Sequence, residues 1–287
     1  MADHNAGRFI GTAIGPMLWG TTYVVFVGTL PTDHPVLISA LRALPAGLLL
    51  LLLVRRLPPR RILFPVTVLA LTNIGLFFAL LLISAARLPG GITATLAACQ
   101  PLLVAFLAWP LLGRRPGMGQ IALAVLGMAG VGLMVLNGGL AFDPAGVLAG
   151  IGAALSMALG IVLMERWRDL APPVQMTAWQ LLIGGALILP IALLVEGLPA
   201  HWDMRNSLGL GYLVLFATAL GYWLWVGGVQ RLGSRVSVLA FLSPVVALLL
   251  GIGLMHETLD AQQGLGVAMV FLSIGLSVRA SLSGGKA

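Results

Sequence analysis

Ionisable side chains are scarce in this chain: Asp, Glu, Lys and Arg make up 9% of its 287 residues, against 59% apolar ones. Mean hydropathy is correspondingly +1.04. So little polar surface cannot cover a soluble globule of this length, and lipid is the expected solvent. Cysteine is rarer still, because Cys99 stands alone, which excludes an intrachain disulfide and a thiolate metal site. The chain has no GxxxxGKS/T loop to cradle phosphates, no HExxH pair, and no loop long enough to hold a soluble domain. ATP is therefore not expected as the energy source, and neither a metal nor any other cofactor is called for. No Asp, Glu or His stands in the middle of an apolar stretch, which leaves a proton relay or an intramembrane enzyme without carriers.

What the chain does have is apolar length. Ten stretches, at about 7–27, 34–54, 62–84, 90–112, 118–136, 145–164, 174–195, 207–229, 234–255 and 261–278, approach the roughly 20 residues that cross a hydrocarbon layer of about 30 Å. Away from the stretch ends, where Arg8 and Arg235 stand, the only charge inside any of them is Arg42. Arg8, Arg55, Arg56, Arg60, Arg61, Arg114, Arg115, Arg166, Arg168, Arg231, Arg235, Arg279 and Lys286 fall at the termini or in alternate loops, and only Arg87 and Arg205 in the others. The positive-inside rule then places both termini in the cytoplasm. The formal charge of +7 is thereby a matter of topology and of attraction to anionic lipid headgroups; the bilayer is the expected partner, and nucleic acid is not. The start runs into the first stretch without a small-residue cleavage site, so no removable signal peptide is expected.

The stretches also repeat. "LFFALLLISAARL" around Arg87 returns as "LGYWLWVGGVQRL" around Arg231, and Pro101, Gln120 and Gly132 have counterparts at Pro244, Gln263 and Gly275, each 143 residues on. Five stretches per copy is an odd number, so the copies must lie in the membrane in opposite orientations, as in many transporters. The expected organisation is a first five-helix repeat at 1–140 and a second, inverted one at 141–287, divided near 137–146.

Candidate functional residues gather at mid-depth. Proline lacks an N–H and clashes with the carbonyl four residues back, so Pro101 and Pro244 are expected to kink the fourth and ninth stretches and free the carbonyls of Ala97 and Ala240. Backbone left unpaired at that depth must face protein or a watery cavity, and Gln100 and Ser243 stand beside the two prolines. Trp19, Thr22, Tyr23, Asn73, Phe78, Trp179, Gln180, Tyr222, Trp223 and Trp225 are the other candidates for a lining, with plain helix packing as the alternative. Arg42 lies roughly 12 Å into the bilayer if its helix starts near His34. It either anchors a substrate carboxylate through its planar fork or clamps backbone carbonyls. His256 and Glu257 sit at an outer helix end and suit a shallow gate or a topological role.

The duplicated ten-stretch layout, with "WGTTYV" from Trp19, "LRALPAGLLLL" from Leu41, and the paired Pro101…Gly113 and Pro244…Glu257, resembles the drug/metabolite transporter superfamily in its EamA-type branch. Within it the chain is most similar to the YddG-type aromatic amino-acid exporters. The resemblance implies an all-α integral membrane fold of ten transmembrane helices. Its central cavity opens alternately to the two sides, and substrate is met by the first, third, fourth, sixth, eighth and ninth helices. It also implies a bacterial inner-membrane exporter of amino acids, broad and including aromatic ones; since the residues that would use ATP or carry protons are missing, neither is expected to drive it, and a monomer is the expected form. Export of other small metabolites or drugs is the alternative within transport; a channel or scaffold is the alternative outside it. One departure stands out: the Gly-Glu that usually follows each proline helix reads Gly113-Arg114 in the first copy and His256-Glu257 in the second.

Overall fold

The structure, a computed structural model, describes residues 2–88, 93, 96–97, 99–135, 143–255 and 261–283. Most of the expected divide, at 137–142, and the pair His256 and Glu257 lie outside these residues. The described elements are α1 (Ala2–Gly20), α2 (Thr22–Thr29), α3 (Pro35–Val54), α4 (Leu63–Ala70), α5 (Leu76–Arg87), α6 (Gln100–Leu112), α7 (Met118–Val135), α8 (Pro144–Arg166), α9 (Pro173–Val195), α10 (Met204–Tyr212), α11 (Gly221–Leu232), α12 (Leu242–Met255) and α13 (Ala261–Ser283). Among the described residues six helical stretches, Gly7–Thr29, Pro35–Val54, Arg60–Arg87, Pro144–Arg166, Pro173–Val195 and Met204–Leu232, are long and apolar enough to cross a bilayer. Four shorter apolar helical stretches accompany them.

Local chemistry explains where the long helices start. Pro35, Pro144 and Pro173 stand in first turns, where a missing N–H costs nothing and φ is already helical. Asp143 caps α8 by accepting from the Ala145 and Gly146 amides at 2.8 and 3.3 Å. Gly113 ends α6 with φ +69°, a left-handed turn that favours glycine.

Two long helices carry a π turn. Leu71–Gly75 joins α4 to α5 and Leu213–Leu220 joins α10 to α11, at matching places in the two copies of the sequence. A π turn shifts the hydrogen-bond register and leaves carbonyls for other donors, and side chains from neighbouring helices use them. Trp19 Nε1 donates to the Ala217 carbonyl at 3.0 Å, Ser156 Oγ to that of Thr72 at 2.7 Å, and Tyr222 Oη to that of Asn73 at 3.4 Å.

Helices with counterpart sequence lie against each other and run antiparallel. In the α3–α9 pair a Cβ added at Gly47 would stand 2.5 Å from the Leu182 nitrogen, and one at Gly185 2.9 Å from the Leu44 nitrogen. In the α7–α13 pair Ser273 Oγ donates to the Leu123 carbonyl at 2.7 Å, while Gly130 abuts the Gly266 carbonyl. The crossed contacts are reciprocal as well: α1 packs along α11 through Gly15 against Gly221, and α8 packs along α5 through Gly150 against Ser84. Hydrocarbon gives helices no hydrophobic reason to associate, so close backbone approach at small residues supplies the van der Waals contact instead.

The structure corrects two expectations. The backbone before Pro244 is not a bent α-helix but a 3₁₀ segment, Ser234–Phe241, whose Ala240 carbonyl accepts from the Leu242 amide. Pro244 and Pro101 sit in the first turns of α12 and α6, so the helical ladder starts at these prolines instead of bending through them. Arg42 is also not the only charge inside an apolar helix. Glu165, in the last turn of α8, is 6% exposed, because the helix runs two residues beyond the expected end of that stretch.

Candidate functional site

Arg42 is the organising residue. It sits two turns into α3, 2% exposed, where the π turn of the second copy presents Thr218. Its Nε donates to Thr218 Oγ1 at 2.9 Å, and its guanidinium carbon lies 4.3 Å over the Phe78 ring. No ion pair links it to a carboxylate among the described residues. A buried guanidinium is costly, from about 3 kcal/mol upward at mid-bilayer. One hydroxyl and one aromatic face are a thin compensation.

An aromatic chain continues from Phe78. Tyr222 meets it edge-on at 5.3 Å between ring centroids, Trp19 follows at 4.9 Å, and Trp225 at 5.1 Å. Five helical stretches converge here. Beside the rings, Asn73 Nδ2 donates to Gln180 Oε1 at 2.8 Å. Asn73 Oδ1, Gln180 Nε2 and Trp225 Nε1 are left buried without a partner. Unpaired polar atoms at this depth are expensive, so the cluster holds hydrogen-bonding capacity that the protein itself does not use.

Trp19, Arg42, Asn73, Phe78, Gln180, Tyr222 and Trp225, all candidates from sequence, thus come together. Other anticipated residues fall elsewhere. Tyr23 and Trp223 are 38% and 42% exposed and face outward, although each directly follows a buried candidate, Thr22 or Tyr222, on the same helix. Trp179 is buried, yet its indole donates to the Arg56 carbonyl at 2.7 Å, fastening α9 to the loop after α3. Thr22 is buried with its hydroxyl unpaired, and Gln100 is buried with Nε2 unpaired. Ser243 is half-buried, its backbone pressed against Gly20 of α1, and Ala97 precedes α6. Thr218 was not anticipated; a lone threonine in an apolar run gives no signal until a guanidinium is placed beside it.

Two sets of contacts tie helices together at the two ends. On the side with few arginines, the Glu196 carboxylate accepts the Val36 and Leu37 amides at 3.0 and 2.8 Å, and Arg87 pairs with Asp143 at 3.2 Å. On the arginine-rich side, the Glu165 carboxylate pairs with Arg114 and accepts the Ser234 amide at 2.6 Å. A Cβ at the adjoining Gly233, φ +81°, would come within 2.8 Å of Glu165 Oε1, so both backbone and space require glycine. A cavity of about 650 Å³ opens beside this contact and follows one face of α6 from Arg114 to Pro101.

The comparisons with known proteins agree on a class. The model of the EamA-like transporter family matches the chain in two segments, residues 9–136 and 144–279. The chain is similar to the protein PecM of Dickeya dadantii (strain 3937), 39% identical over 262 residues that cover 90% of this chain and 88% of that protein. It is similar to the uncharacterized transporter YvbV of Bacillus subtilis (strain 168), 29% identical, covering 90% and 87%. It is also similar to the uncharacterized inner membrane transporter YedA of Escherichia coli (strain K12), 28% identical, covering 90% and 86%. A crystal structure superposes with a TM-score of 0.80 over 96% of this chain and 98% of that one, at 20% identity, a likeness of fold alone.

Proposed function

The chain belongs to the EamA-like transporter family, multi-pass membrane proteins that move solutes and are not enzymes, and on that premise we propose that it exports amino acids, aromatic ones included. The expected setting is a bacterial inner membrane. The mechanism proposed is alternating access by two inverted five-helix repeats, driven by neither ATP nor protons.

The observation that carries this reading is the Arg42 site: a buried guanidinium without a carboxylate partner among the described residues, roofed by Phe78 and flanked by Tyr222, Trp19 and Trp225. A substrate carboxylate would supply the missing counter-charge through charge-assisted hydrogen bonds. Aromatic faces suit an apolar or aromatic side chain, and they attract an ammonium through their quadrupoles. The unpaired Asn73 Oδ1 is a further acceptor for that ammonium. The reciprocal antiparallel packing and the two family segments support the inverted-repeat organisation, with the site where the copies cross.

The test is uptake and counterflow in proteoliposomes with a panel of labelled amino acids. The wild type is expected to exchange aromatic and other neutral amino acids. Arg42→Lys keeps the charge but loses the planar fork. It should raise the apparent transport constant by roughly tenfold, the scale of one lost charge-assisted hydrogen bond of about 1.5 kcal/mol. Unchanged kinetics would make Arg42 a structural clamp. A panel inert to amino acids yet active on other metabolites would move the substrate class while leaving the fold reading intact.

A further inference from the structure

Arg114, Arg115 and Arg235 all line one cavity, the space of about 650 Å³ beside α6. The positive-inside rule asks only that arginines lie on this side of the membrane; it does not ask that three of them, from the loop after α6 and from the 3₁₀ segment before α12, face the same hollow. Their charges are also unequally balanced. Arg114 is paired with Glu165. Arg115 lies with its guanidinium carbon 5.1 Å over the Trp109 ring, and neither it nor Arg235 meets a carboxylate among the described residues. Among the described residues, no Asp or Glu lines the cavity.

Below the arginines the wall turns apolar, with Val104, Ala108, Leu123 and Val238 leading down to Pro101, and Ser237 and Gln120 as polar breaks. The volume is that of an ordinary small-molecule site, and a low-dielectric hollow ringed by one sign of charge focuses its field inward. We propose that this cavity is a binding site, separate from Arg42, for organic anions that carry an apolar body. The anionic group, a sulfonate, carboxylate or phosphate, sits between Arg115 and Arg235, and the body lies along the α6 face. A zwitterion gains little from this mouth, since its ammonium meets the same arginines. The inference goes beyond the amino-acid reading and is independent of it, because equilibrium binding can be read without transport.

The experiment is isothermal titration of the purified protein in neutral detergent with naphthalene-2-sulfonate and with its uncharged analogue naphthalene-2-methanol. The sulfonate should bind, and the uncharged analogue at least tenfold more weakly. The double variant Arg115→Gln/Arg235→Gln should weaken sulfonate binding at least tenfold. Arg115→Lys/Arg235→Lys, which restores charge, should recover most of it, and Arg55→Gln, outside the cavity, should leave it unchanged. Repeating the titration in nanodiscs of phosphatidylcholine, with and without phosphatidylglycerol, separates two sources of the anion. Loss of sulfonate binding in the anionic discs identifies a lipid headgroup as the occupant, and retention identifies a soluble anion; either supports the site. Equal affinity of the wild type and the Gln double variant, or of the sulfonate and the alcohol, would overturn it.

Discussion

A single hydrogen atom at Gly160 preserves the polar part of the Arg42 site. A Cβ there would lie 1.9 Å from Asn73 Oδ1 and 3.0 Å from Thr72 Oγ1, so Gly160→Ala must push Asn73 aside and break its bond to Gln180. The expected cost is about 1–3 kcal/mol, as for other overpacked interiors. It is read as a lowered thermal midpoint in detergent, with transport falling alongside. Gly28→Ala is the control, since nothing lies within 4 Å of its added carbon; that variant should keep or slightly raise the midpoint. An unchanged midpoint for Gly160→Ala would mean that Asn73 yields freely and that its bond to Gln180 does not hold the site in place.

Two predictions belong to the elements. Pro101 and Pro244 occupy first helical turns, so replacing either by alanine removes no hydrogen bond and lets α6 or α12 extend backwards. Pro101→Ala and Pro244→Ala should therefore insert and melt like the wild type or better, while initial uptake falls several-fold. Wild-type uptake in both would reduce the prolines to ordinary helix starters. At the head of α8, the Gly146 amide foremost, then the Ala145 amide and the Arg87 guanidinium, hold the Asp143 carboxyl below the usual carboxylate range. A depressed folded value means that the contribution is complete above the unfolded value of about 4 and is lost as pH falls further. Asp143→Asn keeps a capping oxygen but cannot titrate, so its acid melting profile below about pH 4 should be flatter than the wild type's. Identical profiles would assign the acid sensitivity to other groups.

Element boundaries were largely legible, because proline, aspartate cap and glycine stop are local signals. Rotation about each helix axis was not. A helix that is apolar all round has no stripe to say which side faces the protein, so Trp223 was grouped with Tyr222 although a turn of about 100° takes it from the buried face to the exposed one. The π turns were equally hidden, since an extra residue in a helical turn leaves no mark in an apolar run. Arg42 was legible for the opposite reason: one charge in a field of leucine must be accommodated, and the accommodation drew Phe78, Tyr222 and Asn73 with it.

For the whole molecule, the absence of Asp, Glu and His from mid-helix positions predicts transport without proton coupling. A pH gradient imposed on sealed proteoliposomes should not raise labelled amino acid above its equilibrium level. Accumulation would overturn this, and Glu165→Gln would then show whether the buried carboxylate at the end of α8 carries the proton.

The reciprocal packing has one more consequence. If the two copies were identical in sequence and exchanged roles during transport, the conformation open to one side would be the other turned over, and the two would be degenerate in energy. Whatever resting preference the protein has must come from positions where the copies differ. The two ends of the molecule differ in this way: Glu165 holds Arg114 and Ser234 at one, while Glu196 holds the start of α3 at the other. On the alternating-access mechanism these few side chains act as the weights on an otherwise even balance, and exchanging them would tilt it without touching the path between its ends.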